Sequence, residues 1–267
     1  MNVDFLTPVE DKLLAHNLML PEQVIGRNLR IHTQQEGFPD LKNVSVVVLT
    51  VGSRLRSEES IHVRFRREFY ALFSGNWDFI CADLGVLMPG ERDEDTLFAI
   101  QSLVHEMYQR NILTIVIGGE QENTLGMFRA ISGMNTFVNL TAIDSKFDFG
   151  EPGILVSDDS YMSKIITEKP NNLKQFTNLG YQSYFVSQEE LDLIEKLSFD
   201  AYRLGDICAD ISETEPILRD TDILSVDLST IKASEIASIK GPANGFDGTQ
   251  ICTLMRYAGL SDRISSI

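Results

Sequence analysis

The sequence predicts an α/β fold in which a parallel sheet carries helices on both faces, and three observations predict it. Residues 44–51 (VSVVVLTV) form a continuous β-branched run, the pattern of a strand buried on both sides of a sheet. Further apolar runs recur down the chain and alternate with segments of helical periodicity, as in successive βαβ units. Two of these runs also end on glycine, where a strand can turn sharply into a following helix.

Each element can be justified in turn. The opening 43 residues are mixed in character, with a short helix expected around 9–19 and a Gly/Pro-punctuated polar stretch at 33–40. Residues 1–43 therefore read as an N-terminal extension to a main domain of residues 44–267. After the 44–51 strand, residues 77–84 (WDFICADL) predict another that ends at Gly85, with Trp77, Phe79 and Cys81 alternating as packing residues. In 94–110, Leu97, Ile100, Leu103, Val104 and Met107 share one face of a helix that also carries His105 on its surface or boundary. Residues 113–117 predict a strand running into Gly118 and Gly119, followed by a helix at 123–131 and a strand at 140–144. Later strands are expected at 164–167, 183–186 and 223–228, and a last helix at 248–258. Neither an internal repeat nor a low-complexity linker divides the chain.

Composition narrows the function. At 267 residues and 43% hydrophobic content, the chain can bury one large core. Its formal charge of −16 disfavours phosphate backbones and anionic membranes, so neither nucleic acid nor membrane is expected as a partner. Arg64, Arg66 and Arg67, set among Phe65 and Phe69, accordingly read as ion-pairing residues. Cys81, Cys208 and Cys252 are too widely spaced for a disulfide framework or a zinc motif, and read as buried thiols of a reduced protein. With no apolar run of about 20 residues and no signal-like N-terminus, a soluble cytoplasmic protein is expected. The four histidines are His16, His32, His62 and His105; from Glu106 to Ile267 there is none.

In open α/β sheets, ligands collect at the carboxyl ends of strands. Three segments here put polar residues at such ends: IGGEQEN (117–123), IDSKFDF (143–149) and LSVDLST (224–230). A phosphate-cradling reading of Gly118 and Gly119 is opposed by Glu120 and Glu122, which bring carboxylates where phosphate would sit, and no GxGxxG or P-loop is present. Asp144, Asp148 and Asp227 are hard oxygen donors suited to Mn²⁺, Mg²⁺ or Ca²⁺, and equally common as solvated loop or capping residues.

Taken in order, the three segments resemble the ureohydrolase family of arginases, agmatinases and formimidoylglutamases. Gly118-Gly119-Glu120-Gln121-Glu122 stands where that family has GGDHS, and Asp144-Ser145-Lys146-Phe147-Asp148 where it has DAHxD. The stretch from Ser225 to Ala233 stands for SxDxDxxDP, Ala82-Asp83-Leu84-Gly85 resembles a D-x-G strand end before a helix, and Gly241 to Gly248 resembles the Gly/Pro-rich loop before another. The resemblance implies a three-layer arginase-like sheet, symmetric oligomers, and two manganese ions held by four Asp and two His. A bridging hydroxide would then attack a guanidinium or amidine carbon.

The departures redirect that expectation. The positions matching the metal ligands are Gln121, Asp144, Lys146, Asp148, Asp227 and Ser229, so both histidines and one aspartate are gone. A lysine ammonium has no lone pair for a metal, and Lys146 is expected to sit amid the aspartates as an internal cation, turning the site into a salt-bridge cluster. No cofactor is expected, or alternatively one Mn or Mg ion on Asp144, Asp148 and Asp227 with Glu120 or Glu122 as base. The loop 150–163 supplies Asp158, Asp159 and Tyr161 but no imidazole, and Ile267 precedes the family's closing strand, which is expected to be incomplete. The leading expectation is a non-catalytic or impaired protein serving binding or assembly with an unidentified protein partner. A divergent metal-dependent hydrolase of guanidino or formimino C–N bonds and a sensor of a small cationic ligand are the alternatives.

Overall fold

The computed structural model describes residues 3–52, 61–76, 78–150, 156–236 and 242–267. The chain forms two compact units, Met1–Gly119 and Glu120–Ile267. Both are built mainly of parallel strands flanked by helices, the α/β class read from the sequence, with one short strand of the first unit, Leu6–Thr7, added antiparallel at the edge.

In the first unit, β1 (Leu6–Thr7), α1 (Asp11–Leu18), α2 (Ile25–Asn28) and β2 (Arg30–Ile31) precede the central strand β3 (Val44–Val51). The unit continues through α3 (Ile61–Ala71), β4 (Ile80–Leu87), α4 (Asp93–Gln109) and β5 (Leu113–Ile117). Strand order is β1-β4-β3-β5, with β2 also on β4, and β3 runs parallel to both neighbours. Val47, Val48, Leu49 and Val51 are all buried, which is why that segment carries no polar alternation. The expected apolar face of α4 is buried as well, and Asp93, Glu94 and Asp95 occupy its first turn, where the helix dipole favours anions. The helix expected at 9–19 is α1, whose Leu13 packs with Val9 and Tyr70.

Two expectations in this unit need correcting. The strand at 77–84 lies further along and passes through Gly85 to Leu87 instead of ending there. Gly85 has φ 89°, and a Cβ on it would stand 2.2 Å from the Thr7 carbonyl oxygen, so the residue serves a close crossing inside the sheet. Phe79 is exposed and Cys81 half-buried, while Trp77 lies outside the described residues. The cysteines as a set also depart from the buried reading, since Cys208 and Cys252 are exposed free thiols. Arg66 is ion-paired as expected: fully buried, it grips both Asp83 carboxylate oxygens at 2.7 and 2.8 Å and also bonds Thr50 and the Gly85 carbonyl.

The second unit opens with α5 (Asn123–Ser132) and holds the parallel strands β6 (Val138–Ile143), β7 (Leu173–Tyr181), β8 (Asp200–Arg203) and β9 (Ile223–Val226), in the order β8-β7-β6-β9. Between and after them come α6 (Tyr161–Thr167), α7 (Gln188–Lys196), α8 (Leu204–Ala209), α9 (Glu215–Arg219), α10 (Ala233–Ile236) and α11 (Gly248–Ala258). Ile143, Leu179, Leu204, Leu218, Leu224, Phe246 and Leu254 form the core. Residue 266 lies parallel beside β9, with Leu224 N–H donating to its carbonyl at 3.0 Å.

Here the strand expected at 164–167 is the end of α6: Tyr161, Met162 and Ile165 are buried at helical spacing, and tertiary packing overrides the β preference of Ile165, Ile166 and Thr167. The strand expected at 183–186 is also absent, and that segment is a turn. The true strand is β7, masked in sequence by Lys174, Gln175, Thr177 and Asn178, of which the last two are buried. Among the described residues, no helix is long and apolar enough to cross a membrane.

Candidate functional site

Two of the sequence motifs lie in the second unit, at the carboxyl ends of β6 and β9, and Gln121, from the part of the first motif that belongs to this unit, is hydrogen-bonded beside them. Backbone pairing sets the stage: Asp144 N–H donates to Leu179 and Asp227 N–H to Ile143, each beyond the last residue of its strand. Just before the unit, Gly118 and Gly119 take φ 82° and 74°, the left-handed turn inferred for that strand end.

Asp144 is buried, and its Oδ1 accepts the Lys146 N–H at 3.0 Å. Its Oδ2 is buried without a partner of regular hydrogen-bond geometry. The chain then turns so that Phe147 goes inward against Tyr181 and Phe149, at ring separations of 5.1 and 5.8 Å. Asp148 follows with φ 55°, a left-handed conformation that an aspartate tolerates better than most residues. Asp227 turns both oxygens to Ser229, accepting its N–H at 2.8 Å and its hydroxyl.

Lys146 does not lie among the aspartates. Its ammonium pairs with Asp159 at 3.0 Å, and the two side chains are 47% and 71% exposed. An ammonium left in water avoids the desolvation that insertion into the cluster would cost. The expected internal salt bridge is therefore replaced by a surface one.

Around the aspartates stands an uncharged group that joins Gln121, a position matched to a family metal ligand, to residues given no role from the sequence. Gln121 Nε2 donates to the Tyr161 hydroxyl at 3.2 Å and to Ser225 Oγ at 3.3 Å, and the Thr124 and Ser225 hydroxyls lie 2.9 Å apart. Tyr161 is fully buried. The available signal was weak: Tyr161 was visible only as a residue of the 150–163 loop, of which 151–155 lie outside the described residues. Glu120 is exposed, and Glu122 stands at the head of α5.

The electrostatics are those of crowded carboxylates. Burial and then the charge of Asp227 push Asp144 up to about 6. Burial and then Asp144 push Asp148 up to about 10. The two titrate as a pair, and at neutral pH the pair carries a proton. Burial, reinforced by both aspartates, holds the Tyr161 phenol well above its ordinary range.

Parallel strands with a carboxylate cluster at their ends, carrying three motifs in this order, define an α/β protein of the ureohydrolase type. The profile of the arginase family matches residues 52–259, and the chain belongs to that family. Among solved structures, it is similar to a formiminoglutamase of Trypanosoma cruzi holding Mn²⁺, at 16% identity over 85% of this chain and 84% of that one, TM-score 0.73. It is also similar to formimidoylglutamase of Bacillus subtilis, at 15% identity over 85% and 79% of the two chains, TM-score 0.71. Agmatine ureohydrolase of Thermoplasma volcanium matches at 17% identity over 95% and 87%, TM-score 0.69. No curated protein sequence matches the chain.

The donors present do not fit the dinuclear manganese centre that the motifs' resemblance implies. Gln121 offers an amide, Ser229 a hydroxyl and Lys146 no lone pair, and residues 120–267 contain no imidazole. Among the described residues, no three His, Cys, Asp or Glu side chains are arranged to hold a metal ion.

Proposed function

We propose that the protein is an arginase-family member with an eroded dimanganese site, non-catalytic or strongly impaired, and that it serves a binding or assembly role in the cytoplasm. One observation carries this reading. The three residues that depart from the ligand pattern are each committed to a partner within the protein: Gln121 to Tyr161 and Ser225, Lys146 to Asp159, and Ser229 to Asp227. The test is incubation with Mn²⁺ and arginine, agmatine or N-formimino-glutamate, following urea, ammonia and formamide. None is expected. Turnover that disappears in Asp144→Ala would sink the proposal.

A second reading is favoured by the buried Asp144 Oδ2, which no donor reaches in regular hydrogen-bond geometry. In it, Asp144, Asp148 and Asp227 hold a single Mn²⁺ or Mg²⁺ and the protein hydrolyses a C–N bond of a linear amidine, with Glu120 or Glu122 as base. It calls for one equivalent of metal and for turnover that depends on all three aspartates.

A further inference from the structure

We infer that the strand-end cluster of the second unit is a closed polar core that stands without any ion, tied together by the uncharged group Gln121, Thr124, Tyr161 and Ser225, and that it takes up no manganese. This rests on the eroded-site reading and deepens it by naming what occupies the ion's place.

The argument starts from donors and acceptors. A glutamine could serve a cation only through its amide oxygen, yet the Gln121 NH₂ is the end engaged here, donating to two oxygens of the cluster. Those oxygens belong to Tyr161, fully buried and needing a polar partner for its hydroxyl, and to Ser225, which is also bonded to Thr124. The four side chains thus join the head of α5, α6 and the end of β9 through hydrogen bonds between uncharged groups. On the acidic side, Asp227 spends both oxygens on Ser229, and Asp144 Oδ1 is taken by a backbone N–H. An ion would therefore have to compete with these donors for the lone pairs of Asp144 and Asp227.

The experiment uses the full chain, incubated with EDTA or with millimolar Mn²⁺, then desalted. Manganese is measured by elemental analysis and the melting temperature in both states. The expected result is no stoichiometric manganese and identical melting temperatures, because only a ligand that binds the folded state raises stability. A companion variant, Gln121→His/Lys146→His/Ser229→Asp, dismantles the neutral group and restores imidazoles. It is expected to gain manganese, and its failure to do so would overturn the assignment of closure to these side chains. Stoichiometric manganese in the unaltered protein overturns the inference outright. The two readings fail separately: manganese without turnover removes this one and leaves the non-catalytic proposal, whereas turnover without manganese does the reverse.

Discussion

Replacing Asp148 by asparagine is expected to stabilise the protein. Burial and the neighbouring Asp144 push the Asp148 carboxyl up to about 10, and Asp144 itself is pushed up to about 6 by burial and Asp227. In the unfolded chain each titrates near 4, so at neutral pH folding drives a proton onto the pair, at about 1.4 kcal/mol per pH unit of mismatch. Even the two-unit displacement at Asp144 corresponds to about 3 kcal/mol. Asparagine is neutral at every pH, keeps an N–H donor for Asp144 and suits the left-handed backbone at this position. Allowing for imperfect replacement of one hydrogen bond, the gain at pH 7 is set at about 1–2 kcal/mol, or about 2–8 °C in melting temperature. The sign of the pH dependence follows from the raised value. The unaltered protein has the full stability contribution of this carboxyl below about pH 4 and loses it as pH rises toward about 10, so the advantage of the variant widens with pH. Urea unfolding followed by circular dichroism at several pH values from about 5 to 8 measures this. A variant less stable than the parent at pH 7, with no gain that widens as pH rises, would refute the reasoning.

Other expectations follow from the same contacts. Arg66→Ala leaves Asp83 charged and unpaired in the core of the first unit, and is expected to cost about 3–5 kcal/mol in urea unfolding. Lys146→Ala removes only an exposed ion pair and is expected to change stability by less than about 1 kcal/mol; a loss of several would put the ammonium back among the aspartates. Phe176→Ala, which empties a buried site between Phe149 and Phe199, is expected to cost about 3–5 kcal/mol by the same assay.

What could be read from the sequence was whatever burial writes directly into residue type. The β-branched run at Val44–Val51 and the apolar face of Asp93–Gln109 are such records, and both were legible almost to the residue. Leu173–Tyr181 was not, because its buried positions include Thr177 and Asn178, and Asn178 is satisfied by a bond to the Lys146 carbonyl that no linear pattern reveals. Gln188–Lys196 was missed although its signal was present, a Ser187-x-x-Glu190 capping box in which each side chain accepts the other's N–H.

The site divides along the same line. That Asp144, Asp148 and Asp227 stand at strand ends was readable, because motif order and hydrophobic runs place them there. Where the Lys146 ammonium goes was not, because that depends on the competition between a buried carboxylate cluster and water, and the sequence shows only that a cation is available. The structure resolves the competition through Asp159: the long lysine side chain carries its ammonium to this exposed carboxylate, where it stays hydrated. With the lysine outside, the crowding of carboxylates is relieved by a shared proton and by neutral donors. Both devices leave the β6 and β9 strands intact. The fold can therefore outlast its ligands, since the residues that build β6 and β9 are largely buried while those that departed sit three or four positions past the strand ends.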